Sequence, residues 1–440
     1  MSDTVIAKSP EGSAPAKQPE RPKLFQILGP GLITGASDDD PSGIATYSQA
    51  GAQFGYDMNW SLLLSLPLMC AIQEISARIG RVTGRGIAGN LKAHYPNAVV
   101  YALVSLLVVA NVINLGADLG AMAAGLKLLV GGPAGLYVAG FGLLCIVLEV
   151  FVRYSRYVKA LKWLTISLFA YVGVALVVHV PWATVAKHLV LPAISFKADY
   201  LTVVVAVLGT TISPYLFFWQ AEEEVEEVEE CPTSDPLYAA PQGAKAEFDR
   251  IRLDTYIGMA FSNLVALFIV ISAAATLNAH GVTNIQTSAQ AAEALRPIAG
   301  PFVFLIFAAG IIGTGLLAVP VLAGSAAYAL GEVFDWSVGL ARKPNRAKAF
   351  YGAIAAATVV GALLNFSPID PIKALFWSAV VNGVVAVPVM VMMMHLSSHK
   401  AAMGDFTLPI SLKIMGWLST VAMGCAAIGM FATIFMGQQG

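Results

Sequence analysis

Residues 24–56 read LFQILGPGLITGASDDDPSGIATYSQAGAQFGY. Both ends of the stretch are apolar enough for a bilayer, yet its centre carries Asp38, Asp39, Asp40, Pro41, Ser42 and Gly43. Each charge at bilayer depth costs about 2.5–3.5 kcal/mol on insertion scales. Pro41 removes a backbone donor and turns the residue before it away from helix. The flanks, about 14 residues before and about 11 after, are each shorter than the roughly 20 that span alone. A surface loop between two short helices is the plain reading. A single spanning helix that breaks in mid-membrane, its break lining a polar cavity, accounts for more of the pattern.

The rest of the chain supports a membrane setting. Of 440 residues, 57% are hydrophobic and 12% charged, where a soluble domain carries about 25% charge. The mean hydropathy is +0.71. This composition excludes a soluble enzyme, a nucleic-acid binder and a disordered chain. The net charge of −1 gives no field to draw polyanions, so no nucleic-acid partner is expected. Cys70, Cys145, Cys231 and Cys425 lack the spacing of a zinc site or disulfide framework.

Eleven apolar segments follow one another, at roughly 24–55, 60–80, 99–126, 135–153, 158–180, 199–220, 252–278, 301–331, 349–365, 371–396 and 411–436. Residues 1–23 are polar and read as a flexible cytoplasmic tail. With the N-terminus inside and the C-terminus outside, only Lys127, Lys187, Lys197, Arg296 and Lys373 of the 26 Lys and Arg fall outside. That asymmetry is the one expected of cytoplasmic loops.

The sixth segment has an interruption of its own, Gly209, Thr210, Thr211, Ser213 and Pro214 within a strongly apolar run. A lone proline is a tolerated kink; this cluster favours local unwinding. Interrupted helices at positions one and six point to a transporter of two inverted five-helix repeats, about 24–180 and 199–396, with 411–436 as an extra helix. The fold class is therefore an all-α polytopic membrane protein of about 11 transmembrane helices. In that architecture the breaks meet near the midplane. Half-helix carbonyls and Asp carboxylates are hard oxygen ligands, suited to Mg²⁺, Ca²⁺ or Mn²⁺.

GPGLITGASDDDPSGIATYSQAGAQFGY, followed by RIGRVTGRGIA, Ala117–Leu119 and Gly209–Pro214, resembles the NRAMP divalent-metal transporters. The resemblance implies a LeuT-like fold that moves divalent metal inward. Its departures are specific. The family's DPGN is DPSG here, so Asp40 is kept while Gly43 replaces the asparagine. The family's helix-six methionine is Ser213, and the histidine after the proline is Tyr215. Asp118 is kept, but Ala121 stands where the family has glutamate. Thioether sulfur selects transition metals over hard ions, so its loss favours Mg²⁺. The missing His and Glu imply weak or absent proton coupling. The combination resembles the NRAMP-related magnesium transporter branch.

Asp40 is the expected metal ligand. Asp38 and Asp39 either line the cavity or pair with polar neighbours. Gly43, Thr210 and Ser213 supply oxygens or space. Asp118, an unpaired intramembrane acid, Asn382 and Tyr215 are assigned to the ion pathway. The run Glu222–Glu230, with seven glutamates, is read as part of an acidic cytoplasmic loop, 222–250; it either continues as an amphiphilic helix with Val225 and Val228 on one face, concentrates divalent cations, or is a solvated face. Glu74 with Arg78 and Glu149 with Arg153 read as local i,i+4 pairs. The six histidines show no ligand spacing. The expected activity is import of Mg²⁺, with Mn²⁺ also accepted, by alternating access. A proton-coupled Mn²⁺/Fe²⁺ importer, with Met122 as soft ligand, is the alternative. An organic-solute carrier is disfavoured by three adjacent aspartates. No catalytic set and no cofactor are expected; the transported ion and the lipid bilayer are the partners of a monomer in a bacterial inner membrane.

Overall fold

The computed structural model describes residues 30–152, 164–230, 235–367 and 369–437. The tail 1–23, Arg153 and Cys231 lie outside the described residues. The first span is two helices, α1 (Pro30–Asp38) and α2 (Pro41–Phe54), separated by Asp39 and Asp40. α3 (Asn59–Thr83), α4 (Ile87–His94), α5 (Asn97–Val130) and α6 (Ala134–Phe151) follow. α7 (Phe169–Val177) and α8 (Trp182–Val190) belong to an apolar pair bent by 116°. The second broken span is α9 (Ala198–Thr211) and α10 (Pro214–Glu230), separated by Ile212 and Ser213. α11 (Ala244–Thr276), α12 (Val303–Val333), α13 (Lys348–Leu364), α14 (Pro371–Ser397) and α15 (Ile410–Gly437) complete the chain.

Both breaks have a local cause. Each second half-helix opens with proline at its first position, where the missing N–H is no loss. Among the described residues, eight stretches are long and apolar enough to cross a membrane, or nine with the bent pair. α2 and α3 count together there as Pro41–Thr83, and α13 falls short at 17 residues. Each of the eleven expected segments nevertheless meets a described helix.

The packing follows the repeat. α11 lies along α1 and α2, while α3, its counterpart, lies along α9 and α10. α5 and α12, the third helices of the two halves, pack on each other. The two broken spans are thereby held at the centre, away from lipid.

α9 and α14 cross with their backbones in contact. A Cβ on Gly209 would lie 2.1 Å from the Ala379 carbonyl oxygen, and one on Gly383 would lie 2.6 Å from that of Val205. Small residues permit such an approach. Gly209→Ala is expected to destabilise the protein by about 2–3 kcal/mol, as overpacking does. Thermal unfolding in detergent checks this; an unchanged midpoint would refute the crossing.

The acidic run takes the helical alternative: α10 continues to Glu230. Neighbouring donors stabilise it. Glu224 pairs with Arg250 at 2.6 Å, Glu229 with Arg342 at 3.2 Å, and Glu226 accepts from the Tyr328 hydroxyl and the Leu340 N–H. The segment beyond it is also anchored, the Leu237 and Tyr238 N–H groups donating to the Arg81 and Val82 carbonyls. The histidines are less dispersed than the sequence shows. The His399 ring centroid lies 6.4 Å from that of His94 and 6.1 Å from that of His395.

Candidate metal-ion site

Asp40 caps the N-terminus of α2 with an extended backbone, φ −69° and ψ 170°. Its Oδ1 accepts from the Gly43 N–H at 2.6 Å and the Ser42 hydroxyl at 2.8 Å. Its Oδ2 accepts from Asn114 Nδ2 at 3.0 Å and the Tyr215 hydroxyl at 3.2 Å. The Ser378 hydroxyl donates to Asn114 Oδ1 at 2.7 Å, which turns the amide's N–H₂ toward Asp40. One carboxylate thus joins α2, α5 and α10, with α14 behind them.

The three adjacent aspartates do not face one way. Asp38 and Asp39 turn to α11, where the Ser262 hydroxyl donates to Asp38 Oδ2 and lies 3.2 Å from Asp39 Oδ1. A hydroxyl has one hydrogen, so Ser262 cannot donate to both. Asp38 Oδ1 has no partner. All three aspartates are buried, at 1–3% exposure.

At the second break, a hydroxyl covers the carbonyls that the break frees. Ser213 Oγ lies 2.5 Å from the Gly209 carbonyl and 2.9 Å from that of Thr210, and its one hydrogen goes to one or the other. Thr211 Oγ1 lies 3.1 Å from the Val207 carbonyl and 3.3 Å from that of Leu208. Thr210 Oγ1 lies 2.9 Å from the Val207 carbonyl and 3.0 Å from the Tyr47 hydroxyl of α2, which links the breaks. The Gly209 and Thr210 carbonyls each keep a second lone pair for a cation or water, whereas that of Leu208 also accepts from the Ile212 N–H.

The remaining sequence-selected residues sit close by. Gly43 faces Tyr47: a Cβ there would lie 3.2 Å from that ring and 3.5 Å from Asp40 Oδ1. Asp118 is one helical turn past Asn114, fully buried, with no hydrogen-bond partner on either oxygen. Asn382 is equally buried and unpartnered, on the stretch of α14 that meets Gly209. Sequence reasoning missed Asn114, Ser262 and Ser378. Asn114 left a signal, since it stands four residues before Asp118 and so shares its face of α5. Ser262 and Ser378 left none, because serine in an apolar helix usually bonds back to its own turn.

Among the described residues, no group of three or more His, Cys, Asp or Glu is placed to hold a metal.

A family model described as natural resistance-associated macrophage protein-like, Nramp, matches residues 31–433. The chain belongs to the Nramp family. Among its relatives, the divalent metal cation transporter MntH of Klebsiella pneumoniae (strain 342) is 26% identical over 402 residues, covering 89% of this chain and 90% of that protein. The MntH of Acidiphilium cryptum (strain JF-5) is 27% identical over 420 residues, covering 92% and 88%. The Nramp chain also superposes on solved folds. The manganese transporter of Eremococcus coleocola gives a TM-score of 0.71 at 18% identity, with 97% of this chain and 91% of that one covered. Mhp1, of the nucleobase-cation-symport-1 family, gives 0.56 at 14% identity, with 93% of each covered. The all-helical, LeuT-like inverted-repeat fold expected from the two broken spans is the fold found. This Nramp protein is an integral membrane protein.

Proposed function

We propose that the protein imports divalent metal ions by alternating access, chiefly Mg²⁺ with Mn²⁺ also accepted, and with weak or no proton coupling. The relatives named as divalent metal cation transporters and the manganese transporter support a metal substrate. The observation that carries the finer reading is the buried Asp40 carboxylate between two helix breaks, beside Ser213 and Gly43, where the family has methionine and asparagine. Oxygen ligands and small side chains leave room for a partly hydrated hard ion. Asp38 and Asp39 line the cavity on the α11 side. Tyr215 orients Asp40, and Asp118 and Asn382 serve the path of the ion. The N-terminus is cytoplasmic, the C-terminus is outside, and the host membrane is a bacterial inner membrane.

One observation favours the alternative, a proton-coupled Mn²⁺/Fe²⁺ importer. A Cβ on Gly315 would meet both the Met122 sulfur, at 2.5 Å, and the Pro41 ring, at 3.4 Å. A thioether therefore packs near the residue that follows Asp40. Proteoliposomes holding a magnesium dye and a pH dye separate the readings. The expected result is saturable Mg²⁺ entry without acidification. Mn²⁺ entry with acidification, and no Mg²⁺ entry, would overturn the proposal in favour of the alternative.

A further inference from the structure

Glu222 and Glu332 meet just past the apolar segments 199–220 and 301–331, on the membrane face where α3 ends. Their carboxyl groups are hydrogen-bonded to each other. Glu222 is 2% exposed. The meeting point is the start of α4. Gly86 is the N-cap there and brings no side chain, so Glu332 caps α4 from another helix. Its Oε1 accepts from the Gly86 N–H at 2.6 Å and its Oε2 from the Gly89 N–H at 2.8 Å. The two glycines make room for the pair. A Cβ on Gly86 would overlap Glu222 Oε1 and lie 2.7 Å from Glu332 Oε2, and one on Gly89 would lie 2.6 Å from Glu332 Oε1.

Two ionised carboxyls only accept, so a pair in contact needs a proton or a metal cation between them. The surroundings select the proton. Both Glu332 oxygens face N–H groups at the positive end of α4, which favours an anion and repels a cation. No third His, Cys, Asp or Glu among the described residues joins the pair to hold a metal. The donors also place the proton. Glu332, with two N–H groups, is the carboxylate; Glu222, whose Oε1 accepts from no donor among the described residues, is the acid. The other charged or titratable groups around the pair do not replace that proton. Glu226 and Glu229 of α10 are acidic themselves and bond to Tyr328 of α12 and to Arg342. Arg85, just ahead of α4, is exposed and acts on Glu332.

We propose that Glu222 and Glu332 form a proton-binding clasp that fixes α10 to α4 and α12, and that transport falls when the shared proton is lost. The link to the metal-ion site runs along α10, one helix from Pro214 to Glu230. Tyr215 stands seven residues before Glu222, two turns away on the same face. Its hydroxyl donates to Asp40 Oδ2 at 3.2 Å. With both carboxyls ionised the pair repels, α10 swings away from α4, and Tyr215 is drawn off Asp40. The proton regulates the carrier and does not travel with the ion. The clasp is thus independent of which divalent ion is carried; only its effect on transport rests on Asp40 as the ion's ligand.

The test takes two readouts from the full chain. The infrared spectrum of the unaltered protein in detergent, minus that of Glu222→Gln at the same pH, is expected to show the C=O band of a carboxylic acid at neutral pH, giving way to carboxylate bands in alkaline buffer. Uptake of Mg²⁺ and of Mn²⁺ into proteoliposomes, with equal pH on both sides, is expected to fall at least about tenfold from neutral to alkaline buffer, the scale of one charge-assisted hydrogen bond. Glu222→Gln is expected to abolish that fall, because its amide N–H₂ keeps the bond to Glu332 and does not ionise. Glu332→Gln is expected to abolish it too, since it also leaves at most one charge in the pair; either variant suffices if the other fails to fold. A difference spectrum without the acid band at neutral pH, uptake by the unaltered chain that ignores pH, or an alkaline fall that persists in the variants would overturn the proposal. If neither ion enters at any pH, the transport reading fails, and the infrared spectra decide the clasp by themselves.

Discussion

Asp40→Asn is expected to lower Mg²⁺ and Mn²⁺ uptake into proteoliposomes by at least about 100-fold while the protein still folds. The two effects separate because Asp40 does two things. As the N-cap of α2 it accepts the Gly43 N–H, and asparagine caps a helix about as well as aspartate. As the carboxylate between the breaks it bonds to α5 and α10 together, alone in this among the acids of the described residues. Asparagine removes its charge where low dielectric makes a charge–dication attraction strongest. With its oxygen on Gly43, the new amide turns its N–H₂ to the Asn114 N–H₂, which Ser378 holds in place. That donor–donor clash adds about 1–3 kcal/mol of instability, a cost that most folded proteins survive. Uptake within about twofold of the unaltered protein would place the ion elsewhere.

Ser213→Met is expected to raise the preference for Mn²⁺ over Mg²⁺ by at least about tenfold, measured as competing uptake of the two ions. Sulfur is a soft ligand, and one such ligand among oxygens favours the transition metal. The substitution also removes the hydroxyl that covers the Gly209 or the Thr210 carbonyl, a loss of about 1 kcal/mol. Ser213→Ala is the control, since it loses the same bond without adding sulfur. It is expected to leave the preference unchanged. If the methionine and alanine forms discriminate equally, selectivity does not reside at position 213.

Much of the fold was legible because membrane insertion makes local sequence decisive. In lipid every backbone polar group must be satisfied within its own segment, so apolar runs of about 20 residues become helices. The two breaks were equally plain, since Pro41 and Pro214 act on their own neighbours. Edges near water were less so. Glu222–Glu230 stood open between a helix and a solvated stretch because its charge is local, whereas Arg250 and Arg342, its partners, come from other elements. Without them a run of seven glutamates has no reason to stay helical; with them α10 extends to Glu230.

By itself the sequence determined that this chain lies in a membrane, where its spans break, and that an acid stands at the first break. Those properties arise from composition and from bonds between near neighbours. The direction each aspartate faces was decided only by tertiary structure. Asp40 joins Asn114 and Tyr215, while Asp38 and Asp39 meet Ser262 some 220 residues away. A carboxylate's orientation follows its donors, and in a bundle those donors come from helices whose neighbours only packing selects. The gathering of His94, His395 and His399 has the same origin.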